Sequence, residues 1–378
     1  MKCDQLKRYA LKQTVSKTNF VLKNSGFTLL ELFIVLMLGL VLFAGVMSVF
    51  VGLRATSAET SSYGEMQENG RFAISILTND LLRQGFWGTL PVEMDNALLA
   101  AAPPVANNDC VGGGLNNGSF PQVIGHFRTI WGKLATGASE LGCITDAKPQ
   151  SDIIQVKRVI ANSLGAIPQP VTVPVIAPLT MGDLKNNRYY LMSSVNSAQI
   201  FAGNAAVLPN ILNSQVWEYQ HHVFYVREET QGGNVVPVLM QARLVNAAQS
   251  MDIVPLVDGI ENIRFWYGVD TDTDVDTNDY SDNVTPTTGA GDGVIDMFIP
   301  ARSMTQALWD NNGSRILAVR MFVLVRDILP DNKYTNNNTY QLGGTTAVDQ
   351  VAGGGDHYRR LLFSSTVSLQ NSKVKVWN

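Results

Sequence analysis

The chain has 378 residues, room for one large domain or two ordinary ones, and its 46% hydrophobic and 16% charged content excludes a disordered acidic chain and a nucleic-acid binder. The net charge of -4 hides an asymmetry: residues 1–26 hold six cations and one anion, which leaves 22 cations and 31 anions, a net of -9, on residues 27–378. A basic head on an acidic body argues against DNA capture by the body, and four histidines and three cysteines argue against a multi-ligand zinc site.

Leu32 to Leu53 are 22 residues without a formal charge, most of them apolar. As a helix they span roughly 33 Å, enough for a bilayer core and longer than a secretory signal's apolar stretch. The flanking cations place residues 1–26 in the cytoplasm and the remainder outside, in the periplasm of a bacterium. The alternative is an ordinary signal peptide cut after the small residues from Ala55 to Ala58. Glu31 heads the apolar run, and a carboxylate at membrane depth is costly and marks function by default.

The local sequence is Gly26-Phe27-Thr28-Leu29-Leu30-Glu31-Leu32. With its basic leader, Gly-Phe junction, Glu five residues after the Gly and uninterrupted apolar helix, it resembles the class III prepilin signal of type IV pilins and type II secretion pseudopilins. The resemblance implies cleavage by a prepilin peptidase between Gly26 and Phe27, N-methylation of Phe27, and pairing of Glu31 with the first residue of a neighbouring subunit in the filament. A buried carboxylate needs such a partner.

The helix is expected to continue through residues 54–85, with Phe72, Ala73, Ile76, Leu77 and Leu81 as its packing stripe. Gly64 and Gly70 mark a bend or fray point within it. Gly39, Gly45 and Gly52 suit either close helix packing or local melting, or are ordinary glycine use in membrane helices. Residues 86–150, rich in Gly, Asn, Pro and Ala, read as a long loop region. Cys3 leaves with the leader, so an even pair of cysteines reaches an oxidising compartment, and a Cys110–Cys143 disulfide follows, closing a loop with little core of its own.

Strand-like runs then dominate: 152–160, 188–193, 216–227, 235–245, 260–269, 315–327 and 361–369. The run 315–326 is apolar on both phases at its centre and should be a central strand. Residues 334–355 read as a surface loop. The fold class is α+β: a leader (1–26), a membrane-spanning half-helix (27–53), a periplasmic half-helix (54–85), and a mainly antiparallel β domain with long loops (86–378).

Three further stretches extend the likeness. Gln67-Glu68-Asn69-Gly70-Arg71-Phe72-Ala73, Leu256-Val257-Asp258-Gly259-Ile260-Glu261-Asn262 with the following Phe265-Trp266-Tyr267-Gly268-Val269-Asp270-Thr271-Asp272, and Tyr358-Arg359-Arg360-Leu361-Leu362-Phe363-Ser364-Ser365-Thr366-Val367 all resemble the PilW family of minor pilins. This implies a subunit of a priming complex that starts pilus growth and ends at the tip. Its partners would be other minor pilins, the major pilin, the inner-membrane assembly platform and a tip adhesin. The runner-up is a J-type minor pseudopilin of a type II secretion system, with the same architecture.

Asp270-Thr271-Asp272 and Asp292-Gly293-Val294-Ile295-Asp296 resemble two halves of a calcium loop, with Asp270, Asp272, Asp292 and Asp296 as oxygen ligands; the alternative is a solvated acidic hairpin tip. No cofactor is otherwise required. His221 and His222 point to opposite faces of a strand and cannot share a metal. No nucleophile elbow, Walker loop, dinucleotide fingerprint or His-Glu-x-x-His is present, so a membrane-anchored enzyme is the weakest reading.

Overall fold

A computed structural model describes residues 26–91, 94, 96–166, 179–247, 251–271, 293–310 and 315–371. The leader to residue 25, with Cys3, and Asp272 and Asp292 of the candidate cation loop lie outside the described residues. The chain divides into two compact units, residues 1–60 and 61–378.

Helix α1, Leu29–Leu82, runs through both. Within the second unit it does not fray at its glycines: the helix is unbroken and Gly70 is buried, its missing side chain making room for the Phe363 ring. The buried stripe is Met66, Gly70, Ala73, Leu77 and Leu81, spaced at three and four residues. Phe72, expected in that stripe, sits one position off it and is 54% exposed.

The strands follow in order: β1 (Leu99–Ala101), β2 (Ile130–Leu134), β3 (Asp152–Val159), β4 (Gly165–Ala166), β5 (Tyr189–Ser193), β6 (Ala198–Ala202), β7 (Gln215–Gln231), β8 (Asn234–Leu244), β9 (Met251–Asp258) and β10 (Ile260–Asp270). After them come β11 (Met297–Pro300), a single helical turn α2 (Gln306–Trp309), β12 (Arg315–Arg326), β13 (Thr339–Gln341), β14 (Gln350–Ala352) and β15 (Arg360–Ser368). Nine form one sheet in the order β1-β6-β5-β7-β3-β2, with β4 and β8 also on β7 and β9 on β8. Four form a second sheet, β11-β10-β12-β15. All of its pairs are antiparallel, as are those of the first sheet except β1 with β6. The run 315–326 becomes β12, which is central in the second sheet.

Turns are set by glycine where the backbone demands it. Gly232 and Gly233 both take positive φ between Gln231 and Asn234, the two-residue turn whose twist matches a hairpin. Gly259, at φ +80°, turns β9 into β10.

Strand β3 separates two cores. Ile154 and Val156 face α1 and the second sheet, with Phe224, Phe265, Met321 and Val323. Ile153 and Val159 face the other way, with Trp87, Phe120, Phe127, Tyr219 and Tyr225. The second core corrects the reading of residues 86–150. They hold little regular structure, but Trp87, Cys110, Phe120, Phe127, Ile144 and Ala147 are buried and form a layer over the sheet. Each large apolar side chain so buried is worth about 1.5–3 kcal/mol, which orders a segment that lacks a repeating pattern. Residues 334–355 are likewise more than a surface loop. They contain β13 and β14, and Asn336, Leu342 and Asp349 are almost fully buried.

Candidate functional site

Gly26 and Phe27 precede α1, and Phe27 is 80% exposed. Thr28 caps the helix: its hydroxyl oxygen accepts the Glu31 N–H at 3.3 Å, and its carbonyl accepts the Leu32 N–H at 3.2 Å. Glu31 therefore stands in the first turn, where a carboxylate suits the positive end of the helix dipole. Its side chain is exposed and makes no ion pair among the described residues. The apolar residues from Leu29 to Leu53 are exposed as well, and α1 is long and apolar enough to cross a membrane.

In the second unit, the three stretches that carry the family likeness meet at one place, although they are far apart in the chain. On α1, the Asn69 amide donates to the Asp258 carbonyl at 3.2 Å, beside the Gly70–Phe363 contact. At the β9–β10 turn, Gly259 N–H donates to the Pro237 carbonyl at 2.7 Å, and its own carbonyl accepts the Arg326 N–H at 2.8 Å. A side chain at Gly259 would lie 2.9 Å from the carbonyl oxygen of Arg326.

Arginine and carboxylate groups then tie the stretches together. Arg360 donates to Glu261 through Nε at 2.5 Å and Nη2 at 2.9 Å, and to Asp356 at 2.9 and 2.6 Å. Arg326 stacks on Tyr358 at 4.1 Å and donates to the Val235 carbonyl. Arg359 donates to Asp331 at 2.7 Å and lies over Tyr334 and over Tyr63 of α1. The Ser62 hydroxyl of α1 donates to Asp327. Burial works against the Asp356 carboxylate, but the Arg360 hydrogen bonds and charge outweigh it and hold its pKa below the usual range. Burial pushes Asp327 up despite Ser62 and Arg359.

A second clamp fastens the end of α1. Asp80 accepts from Arg158 at 3.0 and 2.6 Å and lies 2.6 Å from His222 Nδ1. His221 points the opposite way, as strand alternation requires. Its Nδ1 lies 2.8 Å from Ser119 Oγ, which lies 2.6 Å from Asp109. The serine stands between histidine and aspartate, so the order needed for a nucleophile relay is absent from this trio, and all three are buried. Lys157, next to His221 across β3 and β7, donates to the Arg128 carbonyl at 2.8 Å; burial pulls its pKa down to about 7. Sequence reasoning missed both clusters, because their members lie tens of residues apart with no spacing signature.

Cys110 and Cys143 are joined by a disulfide with Cα atoms 5.0 Å apart. The Gln155 amide of β3 donates to the Cys110 carbonyl at 2.8 Å, fixing the bridged loop on the sheet. Of the candidate calcium ligands, Asp270 accepts the Gly293 N–H at 2.9 Å, and Asp296 accepts the Thr271 N–H at 2.7 Å and hydroxyl at 2.6 Å. These bonds join Asp270 and Thr271 to Gly293 and Asp296. Among the described residues no group of three His, Cys, Asp or Glu side chains could hold a metal ion.

A long apolar amino-terminal helix set on a mainly antiparallel β domain is the α+β class expected of a pilin-type protein. Residues 223–371 match the family model described as Type IV Pilus-assembly protein W. The match takes in the β9–β10 turn, Glu261, Arg326 and the Tyr358–Phe363 stretch, and it connects the chain with type IV pilus assembly. No curated protein and no solved structure matches the chain.

Proposed function

We propose that the protein is a minor pilin that acts in a priming or tip complex with other minor pilins. One combination carries this reading: a prepilin-type Gly26-Phe27 junction heads an exposed apolar helix in a chain whose residues 223–371 match the PilW family model. In this reading a prepilin peptidase cuts after Gly26 and methylates Phe27. The helix waits as a single pass in the inner membrane with residues 54–378 in the periplasm. Extraction into the filament then brings the Glu31 carboxylate to the amine of a neighbouring subunit, where each charge loses water and gains a partner. The other minor pilins, the major pilin, the assembly platform and a tip adhesin are its partners. Nothing in this role calls for a catalytic group or a cofactor.

Mass spectrometry of the amino terminus, in cells with and without the prepilin peptidase, tests the reading. N-methylated Phe27 that disappears without the peptidase supports it, as does loss of surface pili on deletion. An intact Met1, or a terminus after the small residues from Ala55 to Ala58, overturns it. Calcium at Asp270, Asp272, Asp292 and Asp296 is a separate proposal. It requires that calcium chloride raise the melting temperature of the protein and that Asp270→Asn remove the rise.

A further inference from the structure

Strand β15 is the outermost strand of the second sheet, paired with β12 alone. Its register runs from Arg360↔Arg326 to Ser368↔Ala318 without a bulge. From Leu361 to Ser368 it contains no charge, no proline and no glycine. Proteins normally blunt such an edge, because its unpaired backbone groups are a template for another strand.

Among the described residues the other outer strands are short or blunted. β1 is three residues long and leads into Pro103-Pro104; β2 is five and carries Lys133. β9 carries Asp252, Pro255 and Asp258 and is bulged against β8. β11 is four residues and ends on Pro300. Among the described residues, β15 is the long outer strand that carries none of these devices past its first residue, Arg360.

The direction of its free groups follows from the ladder. Leu369 N–H donates to the Leu317 carbonyl at 2.8 Å, one step past the Ser368↔Ala318 pair. In an antiparallel ladder the hydrogen-bonded pairs alternate. Residues 361, 363, 365 and 367 therefore bond to β12, and Leu362, Ser364, Thr366 and Ser368 turn their N–H and C=O groups to the open edge. No hydrogen bond to these outward groups occurs among the described residues. The side chains of Leu362, Ser364 and Thr366 are exposed, whereas Val367 is buried and Phe363 packs on α1.

We propose that β15 accepts an added β-strand from a different subunit anchored in the same membrane. This rests on the pilus-assembly reading. Two copies of this chain fit poorly. Antiparallel pairing of β15 with itself needs a two-fold axis perpendicular to the sheet. Along β15, α1 runs from Tyr63 beside Arg359, through Gly70 at Phe363, toward Gln84, whose carbonyl accepts from Asn371, so its direction lies in the sheet plane and that axis reverses it. Two chains held in one membrane must both enter residue 61 from that membrane, and two-fold partners would enter from opposite sides. The donated segment is an extended stretch of uncharged, small or β-branched residues, since a charge opposite Leu361–Ser368 would find no counterion in the strand. Its main-chain hydrogen bonds supply affinity, and the Leu362, Ser364 and Thr366 side chains supply selectivity.

Hydrogen exchange, read at residue level, tests the inference on the full chain purified alone in detergent and on pilus fractions from cells with the complete machinery. The amides of Leu362, Ser364, Thr366 and Ser368 should slow by about tenfold or more in the pilus fraction. Ser364→Pro removes one outward N–H and spares the β12 ladder. It should keep the melting temperature of the isolated protein and lose the protection, whereas Ser364→Ala keeps both. Ser365→Pro, whose N–H serves β12, should lower the melting temperature.

Unchanged exchange at these amides in a fraction that contains the chain overturns the inference alone. So does full protection in Ser364→Pro. Slow exchange in the isolated chain that becomes fast on deletion of residues 372–378 overturns it by naming the chain's own tail as occupant. A dimer of the isolated protein that Ser364→Pro dissolves overturns it in favour of a second copy. Absence of the chain from pilus fractions, with normal piliation in the deletion strain, overturns the pilus reading and this inference with it.

Discussion

Arg360 shows how much a single side chain can hold at this junction. Its guanidinium bonds two carboxylates, Glu261 and Asp356, while itself nearly buried. A buried pair of this kind is costly to break, because the surviving charge is left without water or partner. Glu261→Ala should lower stability by about 3 kcal/mol or more in denaturant melts of the full chain, and replacing Arg360 by Met in the same chain should restore part of the loss. Lys157 makes a different case. Its pKa falls from 10.5 unfolded to about 7 folded, so across that interval the unfolded chain holds the extra proton. Its contribution therefore rises with pH from about 7 to 10.5 and is lost as pH falls through the folded value. The difference in stability between the wild type and Lys157→Met should vary with pH across that window and flatten above it. Asp152 acts in the opposite sense: burial raises its pKa from 3.8 to about 7 against the nearby Arg264, so its contribution is complete below 3.8 and declines as pH climbs to about 7. The two windows meet near neutrality without overlapping, so each can be read in its own variant.

Among the elements, α1 is decided by what touches it. Its second part has Met66, Gly70, Ala73, Leu77 and Leu81 on one side and a clamp at each end of the contact: Ser62 with Asp327, and Asp80 with Arg158 and His222. Gly70→Leu should cost about 1–3 kcal/mol in thermal or denaturant melts, because the side chain must enter space held by the Phe363 ring. Phe363→Ala in the same chain should recover part of that cost, since the collision is with that ring. Ala73, Leu77 and Leu81 of the α1 stripe were legible from spacing, whereas Phe72 was misplaced in it and Met66 was missed. The role of Gly70 was not legible, since a glycine in a helix reads as a weak point until the neighbour that fills its place is known. The same holds for the segment from Phe86 to Gln150, whose buried residues follow no period because they descend from irregular backbone onto a sheet.

For the molecule as a whole, one long helix carries two kinds of surface. From Leu29 to Leu53 it is apolar and exposed, and from residue 61 it is amphipathic and packed. Exposure of so much apolar surface needs a lipid or protein environment. The full chain should therefore stay with the membrane pellet under alkaline carbonate extraction, and a chain beginning at Ser61, which retains both cores, should be soluble and melt cooperatively. Release of the full chain into the carbonate supernatant would contradict the membrane reading.

The sequence by itself determined the long apolar helix, seven of the longer strands and the pairing of Cys110 with Cys143. Charge, apolar length, strand alternation and an even cysteine count are local or countable properties. The tertiary structure alone decided that Asn69, Gly259 and Arg360 belong to one junction, that His221 and His222 serve different buried clusters, and that β15 is the unguarded edge. Those facts depend on which strand lies beside which, and pairing over a hundred residues of intervening chain leaves no periodic trace in the sequence.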